Sequence, residues 1–65
     1  MEDVEVLKAK VKKLNAQATQ AKMDLHDLSE ELPVNWDRIL EVAERTHAAY
    51  RDLTEARKAL AAAGA

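Results

Sequence analysis

Apolar and small residues recur along this chain in steps of three and four. One ladder is Val4, Leu7, Val11, Leu14, Ala18, Ala21, Leu25 and Leu28; the other is Ile39, Val42, Thr46, Ala49, Leu53, Ala56, Leu60 and Ala63. This spacing keeps one stripe of an α-helix facing one way, as in the a/d seam of a coiled coil. Between the ladders stands Leu32-Pro33-Val34-Asn35. Proline biases the residue before it out of the helical region, so Leu32 ends one helix. Folded back here, the ladders pair rung by rung: Leu28 with Ile39, Leu25 with Val42, Ala21 with Thr46, and so on to Val4 with Ala63. The residue numbers of every rung add to 67. The pattern predicts an all-α fold, an antiparallel two-helix hairpin forming a single domain over residues 1–65. Helix 1 is expected over about 3–31, the turn over 32–35 and helix 2 over about 36–62.

Local signals refine these bounds. Asp3 suits the N-cap of the first helix, and Glu2, Asp3 and Glu5 suit the positive end of its dipole. Asn35 is the expected N-cap of the second helix, with Val34 and Ile39 at the spacing of a hydrophobic staple. Gly64 is the expected C-terminal stop, with Ala61–Ala65 fraying. Glu30 and Glu31 fall at the negative end of the first helix dipole. Carboxylates are unfavourable there, which makes both candidates for a partner-binding role.

Length changes the picture next. With 65 residues, a lone hairpin buries one stripe per helix. Set against about 1.5 kcal/mol of ordering entropy per residue, apolar burial worth roughly 25 cal/mol per Å² leaves it near or below zero stability. Self-association into a four-helix bundle is the natural remedy, as a homodimer or a further-paired tetramer. The expected bundle core is Leu7, Val11, Leu14, Ala18, Ala21, Leu25, Leu28, Ile39, Val42, Thr46, Ala49, Tyr50, Leu53 and Leu60. Trp36, Ala43 and Tyr50, spaced by seven, widen the apolar face of helix 2 beyond a two-helix seam. The small rungs Ala18/Ala49 and Ala21/Thr46 form a waist that Tyr50 of another copy can fill.

Charge is unevenly spread. Residues 24–44 carry seven carboxylates against Arg38 alone, whereas Lys8, Lys10, Lys12, Lys13, Lys22, Arg51, Arg57 and Lys58 gather toward the open end. A dimer is therefore expected to set its two turns at opposite ends. The formal net charge of −2 argues against general nucleic-acid binding. There is no cysteine, so no disulfide and no zinc-thiolate site. No apolar run approaches a membrane span, and the acidic start, Met-Glu-Asp-Val-Glu, has no signal-peptide pattern; a cytoplasmic location is expected.

Little chemistry remains. No Gly-rich phosphate loop exists, Ser29 has no triad partner, and a thin hairpin offers no pocket to split two carboxyl pKa values. The expectation is a protein that is not an enzyme and has no cofactor. His26 and His47 are the only histidines; they are weak divalent-metal candidates without a specific motif. Trp36 at the turn, with Leu40 one helical turn on, is a candidate partner-binding anchor together with Glu30 and Glu31. Ala9, Ala16 and Met23 make a low-polarity strip on the back of helix 1.

The run from Ala18 through Lys22-Met23-Asp24-Leu25-His26-Asp27-Leu28-Ser29-Glu30-Glu31-Leu32-Pro33-Val34-Asn35-Trp36 resembles the Rop-like family of small proteins encoded in nitrogen-fixation gene clusters. Glu41-Val42-Ala43-Glu44, Thr46 and Ala49-Tyr50 extend the likeness over nearly the whole chain. The resemblance implies a self-associating helical hairpin in a diazotroph, an accessory role near nitrogenase or its metallocluster assembly, and docking to a protein of that machinery. Metal or metallocluster handling through His26, His47 and nearby carboxylates is the alternative. The family shares its name with a plasmid-copy-number RNA-binding protein, of which only the hairpin-dimer architecture transfers. RNA binding, with Lys8, Lys12 and Lys22 in a stripe, is a further alternative.

Overall fold

The computed structural model describes residues 3–64. Expectations for Glu2 at the first helix dipole and for fraying at Ala65 lie outside the described residues. Helix α1 runs Val4–Glu31, a single 3₁₀ turn covers Trp36–Arg38, and α2 runs Ile39–Ala62. The two helices lie side by side in a rod of 46 × 15 × 12 Å.

Helix α1 begins as its sequence predicts. Asp3 has extended backbone angles and its carboxylate accepts from the Glu5 amide at 3.5 Å, the long limit of a cap bond. The Leu7 amide donates to the Asp3 carbonyl at 3.0 Å and closes the first turn. At the other end Leu32 takes φ −53, ψ 141, the extended conformation that Pro33 demands. No basic residue occupies the last turn of α1, so the unfavourable placement of Glu30 and Glu31 stands.

The turn corrects one expectation. Asn35 is not a side-chain N-cap: it sits at φ 60, ψ 27 and makes no capping bond. An N-cap needs extended backbone angles. This short reversal instead needs one left-handed residue, which asparagine tolerates better than most L-residues. Backbone bonds from Val34 to Glu31, Trp36 to Pro33 and Arg38 to Asn35, at 3.0, 3.3 and 2.9 Å, complete the reversal. The second helical segment consequently starts as the 3₁₀ turn at Trp36 and becomes α-helical only at Ile39. Val34 is left exposed, not stapled. At the far end Gly64 adopts φ 92 and donates to the Ala61 carbonyl at 3.2 Å. This is the expected glycine stop, free of a Cβ penalty.

The core is the paired ladders. Leu7, Ala18, Ala21, Leu28, Val42, Leu53 and Ala56 are buried, and all seven are ladder positions. Eight more ladder residues are half-buried and Ile39 is just exposed. One polar contact reports the register directly: Thr46 Oγ1 lies 3.2 Å from the Ala21 carbonyl oxygen across the interface. These two residues form a rung of the ladder.

Two edges flank the seam. On one, the row Lys10, Gln17, Asp24, Glu31 meets the row Arg38, Arg45, Asp52, Ala59. Arg45 Nη1 stands 4.0 Å from Asp24 Oδ2 across the helices, and its Nη2 donates to Glu41 Oε1 at 3.0 Å. Arg38 reaches the same carboxylate at 3.7 Å. On the other edge, Lys8, Asn15, Lys22 and Ser29 face Trp36, Ala43, Tyr50 and Arg57. Here Arg57 Nη2 donates to Asn15 Oδ1 at 3.2 Å.

Candidate functional site

The two edges differ in what they cover. Along the first, polar edge, shallow grooves are walled by Leu7, Leu14 and Ala56, by Ala21 and Ala49, and by Leu28 and Val42, under Lys10, Gln17, Asp24, Arg38, Arg45 and Asp52. The seam layer on this side is Leu7, Leu14, Ala21, Leu28, Val42, Ala49, Ala56 and Ala63. Five of its eight members are buried. The opposite layer is Val4, Val11, Ala18, Leu25, Ile39, Thr46, Leu53 and Leu60, and only Ala18 and Leu53 are buried there. Beside that uncovered layer stand Ala43, half-buried, Tyr50, 38% exposed, and Trp36, 66% exposed. This side of the hairpin is thus the less covered one, apolar on its α2 flank and polar on its α1 flank at Lys8, Asn15 and Lys22.

A second apolar surface lies at the turn. Leu32, Val34, Trp36 and Leu40 are all exposed, Leu40 at 77%. Leu40 lies one row further out than Trp36, away from both edges. With Ala43 and Ala48 it floors a shallow groove rimmed by Glu44, His47 and Arg51. Carboxylates surround this tip. Glu30 Oε1 is 3.3 Å from His26 Nε2, and Asp27 Oδ1 is 3.6 Å from His26 Nδ1. Glu41 and Asp24 are held by Arg45 and Arg38 as described. Glu31, Asp37 and Glu44 have no ion pair among the described residues.

The histidines do not converge. His26 projects from α1 against its own-helix carboxylates, whereas His47 lies on α2 between the Leu40 groove and a surface shared with Tyr50, Thr54 and Lys58. Among the described residues no three His, Asp or Glu side chains are grouped to hold a metal ion. Lys8 sits 4.0 Å from Glu5, its i−3 neighbour. The Glu41–Arg45 pair was readable from its i,i+4 spacing. Neither the Arg45–Asp24 contact nor the Arg57–Asn15 bond follows from spacing, because each joins residues on different helices. No helix among the described residues is long and apolar enough to cross a membrane.

The Rop-like family model matches residues 2–65. The chain belongs to the Rop-like family. Three relatives frame it. A UPF0437 protein of Azorhizobium caulinodans is 57% identical over 60 residues, covering 92% of this chain and 87% of its own. A UPF0437 protein of Sinorhizobium fredii, y4xE, is 48% identical over 95% of this chain and 92% of its own. A Frankia alni relative, described as lying in a nifX-nifW intergenic region, is 43% identical over 78% of this chain and 62% of its own. Among solved structures, the NMR structure of a Northeast Structural Genomics Consortium target, McR1, is similar with a TM-score of 0.87 and 66% identity. That match covers 94% of this chain and 86% of McR1. The helical hairpin expected from the two ladders, and the Rop-like family implied by the resemblance, are therefore those of this chain.

Proposed function

We propose that this chain is a non-enzymatic, homo-oligomeric accessory protein of nitrogen fixation that docks through its turn to a nitrogenase-related or cluster-assembly protein. The reading rests on the division of the apolar surface in two. The half-covered seam layer suits a second copy, because a four-helix bundle buries both layers of each helix. The tip is turned away from that layer at Leu40, where a second copy leaves it free. Exposed apolar anchors within a polar rim are the usual make-up of a binding hot spot. The nifX-nifW location of the Frankia relative supports the biological setting.

In this reading Leu7, Val11, Leu14, Ala18, Ala21, Leu25, Leu28, Ile39, Val42, Thr46, Ala49, Tyr50, Leu53 and Leu60 form the bundle core. Leu40, Trp36, Glu30 and Glu31 meet the partner. Metal handling is the weaker reading, since His26 and His47 stand on different helices and do not converge, the carboxylates beside His26 being those of its own helix.

The test is affinity capture of tagged protein from nitrogen-fixing cells, comparing the wild type with Leu40→Ser. Leu40 contributes nothing to the core, so the variant should keep its oligomeric state. Recovery of nitrogenase or cluster-assembly proteins by the wild type and their loss with Leu40→Ser is the expected result. Equal recovery by both removes the turn from the docking surface. Recovery of the chain alone defeats the accessory role.

A further inference from the structure

We propose that the outer face of α2 beside the turn receives an amphipathic helix whose apolar stripe is flanked by Lys or Arg. The inference rests on the docking tip read above and names the chemistry of its partner.

Shape is the first argument. Leu40, at 77%, is the most exposed large apolar residue among those described. With Ala43 and Ala48 it floors a shallow groove rimmed by Glu44, His47 and Arg51. The small alanine side chains let another backbone come close to Leu40. From Leu40 to Arg51 the groove follows about 16 Å of helix, at 1.5 Å per residue. An elongated element suits this form better than a single inserted side chain. An α-helix covers such a length in about three turns and satisfies its own backbone while doing so.

Charge selects which helix. Leu40 stands three residues after Asp37 and four before Glu44, so the three share one face of the second helical segment. Neither carboxylate has an ion pair among the described residues. Glu41, by contrast, is held by Arg45 and Arg38. At the far end of the groove Arg51 is drawn to Asp52 at 3.3 Å, so the rim has no uncommitted Lys or Arg to offset Glu44.

The rest of the tip shares this bias. Residues 24–44 carry seven carboxylates against Arg38 alone, a net −6. Glu30 and Glu31 add to it at the negative end of the α1 dipole, with no basic residue in that last turn. A partner helix flanked by carboxylates is repelled here. One flanked by Lys or Arg pairs with Asp37 and Glu44, and the aliphatic stems of its cations lie over Leu40 and the alanines.

The probes are two synthetic helical peptides with the same leucine stripe, one flanked by lysines and the other by glutamates, both free of tryptophan. Anisotropy of a dye on the peptide gives affinity for the full chain. Emission from Trp36, the only tryptophan, reports contact at the tip. The lysine peptide should bind and shift that emission, and the glutamate peptide should do neither. Asp37→Asn combined with Glu44→Gln should weaken the lysine peptide about fivefold. Glu5→Gln combined with Glu55→Gln removes the same charge at the open end and should leave its binding unchanged. Equal binding of the two peptides, or equal loss with the two double variants, overturns the proposal. If nitrogenase or cluster-assembly proteins are still captured in that event, the docking reading stands and only the partner's chemistry falls. A lysine-peptide preference without such capture upholds the cationic helix and defeats the nitrogen-fixation setting.

Discussion

The Thr46 hydroxyl lies 3.2 Å from the Ala21 carbonyl oxygen on the facing helix and 2.9 Å from the Val42 carbonyl oxygen on its own. Its proton serves one acceptor at a time, and both carbonyls belong to helical backbone. The hydroxyl thus satisfies itself at the seam and ties α2 to α1 at one rung. Thr46→Val keeps the shape and removes the bond. It should change stability by no more than about 1 kcal/mol. Thr46→Ala also removes packed carbon and should cost about 1–2 kcal/mol. Urea unfolding of the two variants separates the hydroxyl from the packing.

Leu53 and Leu40 are the same residue type in opposite settings, 2% and 77% exposed. Leu53→Ala leaves a cavity among close-packed ladder residues and should cost about 2–5 kcal/mol. Leu40→Ala should stay within about 0.5 kcal/mol. Thermal unfolding followed by far-UV circular dichroism measures both, and a large loss at Leu40 would contradict its position outside the core.

Asn35 holds the left-handed position of the turn. Asn35→Gly should be neutral or slightly stabilising, because glycine adopts φ near 60 without steric cost. Asn35→Ala should destabilise by about 1 kcal/mol, since alanine tolerates the left-handed region less well than asparagine. The opposite ordering in denaturant titrations would restore the capping role.

Tyr50 is part-exposed in the single hairpin. If a second copy covers it, Tyr50→Ala should weaken dimerisation by more than about 1 kcal/mol. The neighbouring substitution Arg51→Ala should stay within about 0.5 kcal/mol. Sedimentation equilibrium at several concentrations reads the difference. Equal dimerisation of wild type and Tyr50→Ala removes this residue from the interface.

His26 and His47 on separate helices also make a prediction. Chelation with EDTA should leave helicity and melting temperature unchanged, and His26→Ala with His47→Ala should not alter the response to added zinc. A melting temperature that falls on chelation would return the metal-handling reading to first place, because a ligand bound only by the native state stabilises it.

The sequence by itself determined the two helices, their antiparallel pairing and its register. It could do so because a 3-4 spacing of apolar residues has one low-energy solution on a helix, and a proline between two such ladders allows one reversal. The ends at Asp3, Leu32 and Gly64 were legible for the same reason: their causes are local. The tertiary structure decided the rest. Asn35 became a left-handed turn residue and not a cap, because closure between two packed helices, more than local propensity, set its backbone. Arg45 was drawn to Asp24, and Arg57 to Asn15, by proximity across helices that no spacing along one chain encodes. Above all, the structure separated two seam layers that look alike in sequence. One is covered beneath a polar edge and the other lies open beside Tyr50 and Trp36, because two helices in contact can close only one side of each stripe.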